Sequence, residues 1–193
     1  MYRYLMIESK EHIKLHETTI LSLFSEFIKF DKVEVLKNQV WIYYQNDSDI
    51  SLRDVVINLS QDTLVDFRLY QSYKFESLNQ LEENRFFIEK NINDIHFNTY
   101  IFINDHIILK HNLKKLDQDF KKQILRKYHQ DQMMINTVKM YLESNQNMSV
   151  SAKSLFIHRN TLIQRLEKFN QTTGFDVRKF TDGFLIYHLL LLK

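Results

Sequence analysis

Small residues are nearly missing from this 193-residue sequence: it has no proline, two glycines (Gly174 and Gly183) and one alanine, Ala152. Such a chain cannot build a glycine-rich phosphate loop or the G-x-S-x-G elbow of a serine nucleophile. Most nucleotide-dependent enzyme families drop out with those motifs. Cysteine is absent too. That excludes disulfide frameworks, thiolate zinc sites and cysteine nucleophiles, and it points to a reducing compartment. Ile, Asn, Lys and Phe stand where small residues would be, which reads as a bias of the source genome. With 44% hydrophobic and 26% charged residues, the chain can bury a core as one large domain or two small ones.

The opening segment MYRYLMIESKEHIK carries charges at Arg3, Glu8 and Lys10 and lacks the apolar centre of a signal peptide. The longest apolar run, Phe184 to Leu192, is broken by His188 and falls short of the ~18 residues a membrane span needs. A cytoplasmic protein without a membrane partner is the expectation.

The net charge of +2 hides an asymmetry. Residues 1 to 109 hold 11 basic and 17 acidic side chains, whereas residues 110 to 193 hold 15 basic and 7 acidic. An acidic half followed by a basic half implies separate tasks, and the basic half suits a polyanion.

Periodicity divides the chain in the same way. Residues 1 to 110 read as a small α/β layer domain of βαββαβ order. A strand at Tyr2 to Ile7 precedes a helix over residues 11 to 29, and a hairpin turns at Lys37-Asn38-Gln39. A helix then runs over residues 50 to 60, a strand over Val65 to Tyr70 and a helix over Leu78 to Ile92. The apolar runs around Asn104-Asp105 read as a second hairpin. Residues 111 to 132 are expected to form a basic connecting helix, because Leu113, Leu116, Phe120 and Ile124 recur at helical spacing. Residues 133 to 193 read as an all-α domain, so the fold class is α+β.

Within that last domain, Ile135 to Leu142 presents one apolar helix face. Ser149 is a suitable N-cap for a short helix over Val150 to Phe156, and a longer amphipathic helix covers Asn160 to Asn170 with Leu162, Ile163, Leu166 and Phe169 inward. A short helix, a tight turn and a longer helix make the helix-turn-helix plan. Ala152 sits where the two helices must approach closely, and Leu162 is its inward partner. The turn position often held by glycine is Phe156; a positive φ is costly for phenylalanine, so a differently built turn is expected.

The stretch SAKSLFIHRNTLIQRLEKFNQTTGFDVR resembles the C-terminal helix-turn-helix of PucR/CdaR-type bacterial transcriptional regulators, itself similar to the Fis-type DNA-binding fold. The matching residues are Leu155 to Leu162 (LFIHRNTL), Arg165-Leu166 and Thr173 to Asp176 (TGFD). The resemblance covers about residues 125 to 193. It implies a sequence-specific regulator that reads double-stranded DNA as a homodimer, with no cofactor and no enzymatic activity. In that family a degenerate diguanylate-cyclase-like domain often precedes the DNA-binding unit, and the α/β order here is compatible with a shortened version. Its cyclase signature is absent. The α/β half is expected to serve dimerisation or the sensing of a small-molecule effector. The competing reading is a non-enzymatic protein–protein adaptor that does not bind DNA.

Candidate contact residues follow from the second helix. Arg159, Asn160 and Gln164 suit base edges, because each can make two hydrogen bonds to a purine. Thr161 either touches a phosphate or thymine methyl or caps the helix. Lys168 is a further outer-face contact, Arg165 is assigned to phosphate, and Ser149 and Lys153 to the approach of the first helix. His158 either donates to DNA or packs in the turn. No metal site is expected: His12 and His16 stand four apart on the first helix but lack a third ligand. Trp41 and Tyr43 read as core or interface. Phe184, Ile186, Leu189, Leu190 and Leu192 make a last helix, capped by Thr181-Asp182, that must be buried under the helix-turn-helix or against a second subunit.

Overall fold

The computed structural model describes residues 1–45 and 51–192. The chain divides into two compact units, Met1–Ile108 and Leu109–Lys193.

The first unit follows the expected order: β1 (Arg3–Ser9), α1 (Glu17–Ser25), β2 (Lys32–Val35), β3 (Gln39–Tyr44), α2 (Leu52–Thr63) and β4 (Phe67–Gln71). Ile50, read as the start of α2, lies outside the described residues. α3 (Leu78–Asn91) and β5 (Phe102–Ile103) come next. The sheet runs β2-β3-β1-β4-β5, antiparallel throughout except for the parallel β4–β5 pair.

Strand alternation sorts the side chains onto two faces. Leu5, Ile7, Val40, Ile42, Phe67 and Leu69 pack with Ile20 and Phe24 of α1 and with Val56 and Leu59 of α2. Tyr4, Met6, Trp41 and Tyr70 fill the other face and are fully buried. Polar groups there are paired, as burial demands. Tyr4 Oη donates to Asn84 Oδ1 of α3 at 2.9 Å, and Tyr70 Oη donates to Asp105 at 2.6 Å. The Arg85 guanidinium lies 4.5 Å from the Trp41 ring while Nη1 donates to Glu34 and to Tyr43 Oη. Trp41 and Tyr43 therefore belong to the packing of α3 on the sheet.

Three sequence expectations are corrected here. Asn104-Asp105 is a helix start, not a hairpin turn: Asn104 Oδ1 accepts from Ile107 N at 3.2 Å and opens α4 (Asp105–His111). Asparagine serves turns and N-caps by the same side-chain acceptance, so the dipeptide alone does not separate them. Residues 111 to 132 are not one helix. Asp117 accepts from Phe120 N at 3.0 Å and starts a new helix, α5 (Gln118–Leu125), between 3₁₀ turns at Leu113–Lys115 and Arg126–Gln130. His12 and His16 do not share an α-helical face, since His12 precedes and His16 ends the 3₁₀ turn Ile13–His16, and His16 meets the Phe67 ring edge-on.

Among the described residues no helix is long and apolar enough to cross a membrane.

Candidate nucleic-acid interface

Four helices complete the second unit: α6 (Gln132–Glu143), α7 (Met148–Ser154), α8 (Arg159–Thr173) and α9 (Phe180–Leu190). Each start has an identifiable cause. Asp131 accepts from Met134 N at 2.9 Å and opens α6. The turn after α6 takes left-handed backbone at Asn145 and Gln146 (φ 53° and 58°) and is tied down by Gln146 Nε2, which donates to Val177 O at 2.7 Å. Asn147, not Ser149, caps α7: its Oδ1 accepts from both Ser149 N and Val150 N at 3.1 Å. Asparagine is at least as good a cap as serine, and Ser151 and Ala152 on this helix are buried.

The turn between α7 and α8 reverses the expectation for Phe156. Its φ is 54°, the left-handed conformation that glycine usually supplies. Phe156 N donates to Lys153 O at 3.1 Å and Ile157 N to Ala152 O at 3.0 Å. That pair of bonds is the Schellman arrangement, with Phe156 at the left-handed position. An L-residue there costs ~1–2 kcal/mol, which the two bonds and the packing on both sides offset. The ring itself projects into solvent.

α8 begins at His158, whose Nδ1 is placed to accept from Asn160 N at 3.2 Å. That makes His158 the cap and excludes Thr161 from the role. Leu162, Leu166 and Phe169 are buried, and Phe169 stacks on Tyr128 at 5.9 Å. Ile163, expected inward, is partly exposed. Ala152 and Leu162 are buried where α7 packs on α8. The outer face is polar: Arg159, Asn160, Gln164 and Lys168 are exposed, as are Ser149 and Lys153 of α7. Thr161 is half-buried. Arg165 is half-buried too, and its Nη1 donates to Thr137 Oγ1 of α6 at 3.0 Å. The sequence reading of Arg165 as an outward phosphate contact missed that partner, which stands 28 positions away.

The electrostatics of this surface are one-sided. No acidic residue lies between Glu143 and Glu167, a stretch that contains Lys153, Arg159 and Arg165. The nearest carboxylate on α8, Glu167, is engaged by Arg178 at 3.1 Å. Arg178 also donates through Nε to Asp176 at 2.6 Å, and that hydrogen bond holds the Asp176 carboxyl below its usual range. Arg178 is thus shared between two carboxylates. A helix whose exposed side pairs cations and amides, with neighbouring acids neutralised, can approach a polyanion without repulsion.

α9 roofs the unit from behind. Leu185, Ile186, Leu189 and Leu190 are buried, and Gly183 lies against α6. Thr181 and Asp182 do not cap the helix. It starts at Phe180 after Lys179, and Asp182 instead accepts from Asp176 N at 2.9 Å. Phe184, expected inward, is exposed and stacks with exposed Phe180 at 6.4 Å.

Residues 134–192 match the family model of the PucR C-terminal helix-turn-helix domain. The chain is 38% identical over 63 residues to the purine catabolism regulatory protein of Bacillus subtilis, and 37% identical over 60 residues to the carbohydrate diacid regulator of Escherichia coli. Those matches take in 33% and 31% of this chain, and 12% and 16% of the relatives. An uncharacterised B. subtilis protein, YxkF, is 27% identical over 105 residues, which is 54% of this chain and 35% of that protein. The matched segments thus span about a third or less of these relatives. The crystal structure of a regulator of polyketide synthase expression from Bifidobacterium adolescentis aligns with 98% of this chain and 78% of its own, at 15% identity and a TM-score of 0.48.

Proposed function

We propose, from the premise of a C-terminal helix-turn-helix of the PucR type, that this chain is a sequence-specific, DNA-binding transcriptional regulator acting in the cytoplasm. The carrying observation is the division of α8: Leu162, Leu166 and Phe169 are buried while Arg159, Asn160, Gln164 and Lys168 stand exposed. Arg159 and Asn160 occupy the first turn of α8, the part of a recognition helix that reaches base edges in the major groove. Arginine matches guanine, and Asn or Gln matches adenine, through paired hydrogen bonds. Lys153, Ser149 and Lys168 take the phosphates, His158 shapes the helix start, and Thr161 stands at its edge.

One such unit reads one half-site, so the regulator works as a homodimer with half-sites ~34–36 Å apart. The acidic α/β unit and the Phe180–Phe184 pair on α9 are the two candidate contacts. The α/β unit is also the place for an effector, whose chemistry the chain does not specify.

Selection of duplexes by the full chain from a random-sequence pool tests the proposal. Enrichment of an inverted repeat, with affinity falling steeply as salt rises, is the expected result. Recovery of no preferred sequence, together with salt-insensitive association with another protein, would favour an adaptor instead.

A further inference from the structure

The turn after α7 requires a left-handed residue at position 156, but nothing in the fold requires that residue to be phenylalanine. Its backbone holds φ 54°, and its ring is 96% exposed. Glycine would adopt this conformation without strain, and almost any polar side chain would suit water better. Exposure and left-handed backbone alone do not mark a contact, because Leu64 combines them at the end of α2 (φ 57°, 92% exposed). Surroundings distinguish the two positions. Leu64 lies between Asp62 and Asp66, whereas the stretch around Phe156 contains Lys153 and Arg159 and no acid between Glu143 and Glu167. Arg159 follows Phe156 by three positions, so their Cα atoms are at most ~11 Å apart. An exposed ring this close along the chain to the first turn of α8 is within reach of whatever that turn meets.

We infer that the Phe156 ring is an apolar contact to the duplex, set against its C–H surface: the C5-methyl of a thymine or the face of a deoxyribose. The inference rests on the DNA-binding reading above and adds to it a residue that is neither a base hydrogen-bonder nor a phosphate ligand. Phenylalanine packs on thymine methyls and on sugars through the same exclusion of water. A ring contributes no charge, so its contact releases no counterion.

Full-length Phe156→Gly, compared with the native chain on a duplex the native chain has selected, tests this. The variant should melt no lower than the native chain, since glycine relieves the strained φ. It should bind about fivefold more weakly, the equivalent of returning roughly 40 Å² of apolar surface to water, with an unchanged salt dependence. Phe156→Leu should restore most of the affinity. Replacing thymine by deoxyuridine in the duplex separates the two surfaces. A loss in the native chain that Phe156→Gly does not share assigns the thymine methyl, and no loss in either assigns the sugar. Native affinity in Phe156→Gly, on a duplex where Arg159→Ala binds poorly, would overturn the inference and leave the regulator reading standing. Native affinity for DNA with lost self-association on sedimentation would make the ring a protein contact. If the native chain selects no duplex, both readings fall together.

Discussion

Arg165 Nη1 donates to Thr137 Oγ1 at 3.0 Å, joining α8 to α6. Thr137 is fully buried, and its hydroxyl in turn donates to Met133 O at 2.7 Å. The arginine therefore braces α8 against α6. Arg165→Ala should lower stability by about 1 kcal/mol, the worth of a hydrogen bond with a charged donor less solvent screening. The slope of log affinity against log salt should stay at its native value. A slope flattened by about one unit would instead return Arg165 to the phosphate contacts.

Base readers and phosphate contacts on the outer face are separable in the same measurement. Arg159→Ala or Gln164→Ala should reduce the preference for the selected site by ~1–3 kcal/mol while sparing non-specific binding. Lys153→Ala should weaken all duplexes alike and flatten the salt slope by about one unit. Equal loss on selected and scrambled DNA would place Arg159 and Gln164 with Lys153.

Close helix packing depends on the two smallest inward residues. A Cβ on Gly183 would stand 2.9 Å from Leu142 Cδ2, 3.1 Å from Val177 O and 3.2 Å from Gln146 Nε2. The leucine methyl can swing away. The backbone oxygen and the amide that donates to it cannot do so without losing their bond. Alanine is favoured over glycine in a helix by ~1 kcal/mol, but overpacking costs ~1–3 kcal/mol. Gly183→Ala should thus be destabilising on balance. Ala152→Leu, with three added heavy atoms between α7 and α8, should be more so. Thermal melts of the full chain check both, and a melt raised by Gly183→Ala would mean that α6 yields.

Acid should loosen the second unit through Asp176. Its carboxyl is held below the usual range, chiefly by the Arg178 hydrogen bond. A depressed folded-state pKa adds stability that is present above the ordinary carboxylate value and is lost as pH falls through the folded one. Because the pair lies at the surface, the effect should be under about 1 kcal/mol. Asp176→Asn should melt lower than the native chain at neutral pH, and the gap should close in acid. A gap that is constant with pH would show that the Asp176–Arg178 bond does not contribute.

The helix-turn-helix and the order of the α/β unit were legible in the sequence because both are local patterns. Leu162, Leu166 and Phe169 recur at helical spacing, Val65 to Tyr70 alternates like a strand, and the LFIHRNTL stretch is contiguous. Whether Asn104 turns a hairpin or caps a helix was not local; that depended on β5 lying beside β4 and on Tyr70 reaching Asp105. The brace from Arg165 to Thr137, the inward position of Gly183 and the outward ring of Phe184 likewise required α6, α8 and α9 to be set against one another. Side-chain period tells which residues share a face of a helix. Only tertiary packing decides what that face meets, because burial and hydrogen bonding between distant segments are settled by how the helices stack. Phe156 belongs to both levels. Its place in the turn is written in the sequence, but its left-handed backbone shows only in the Schellman bonds that close the end of α7.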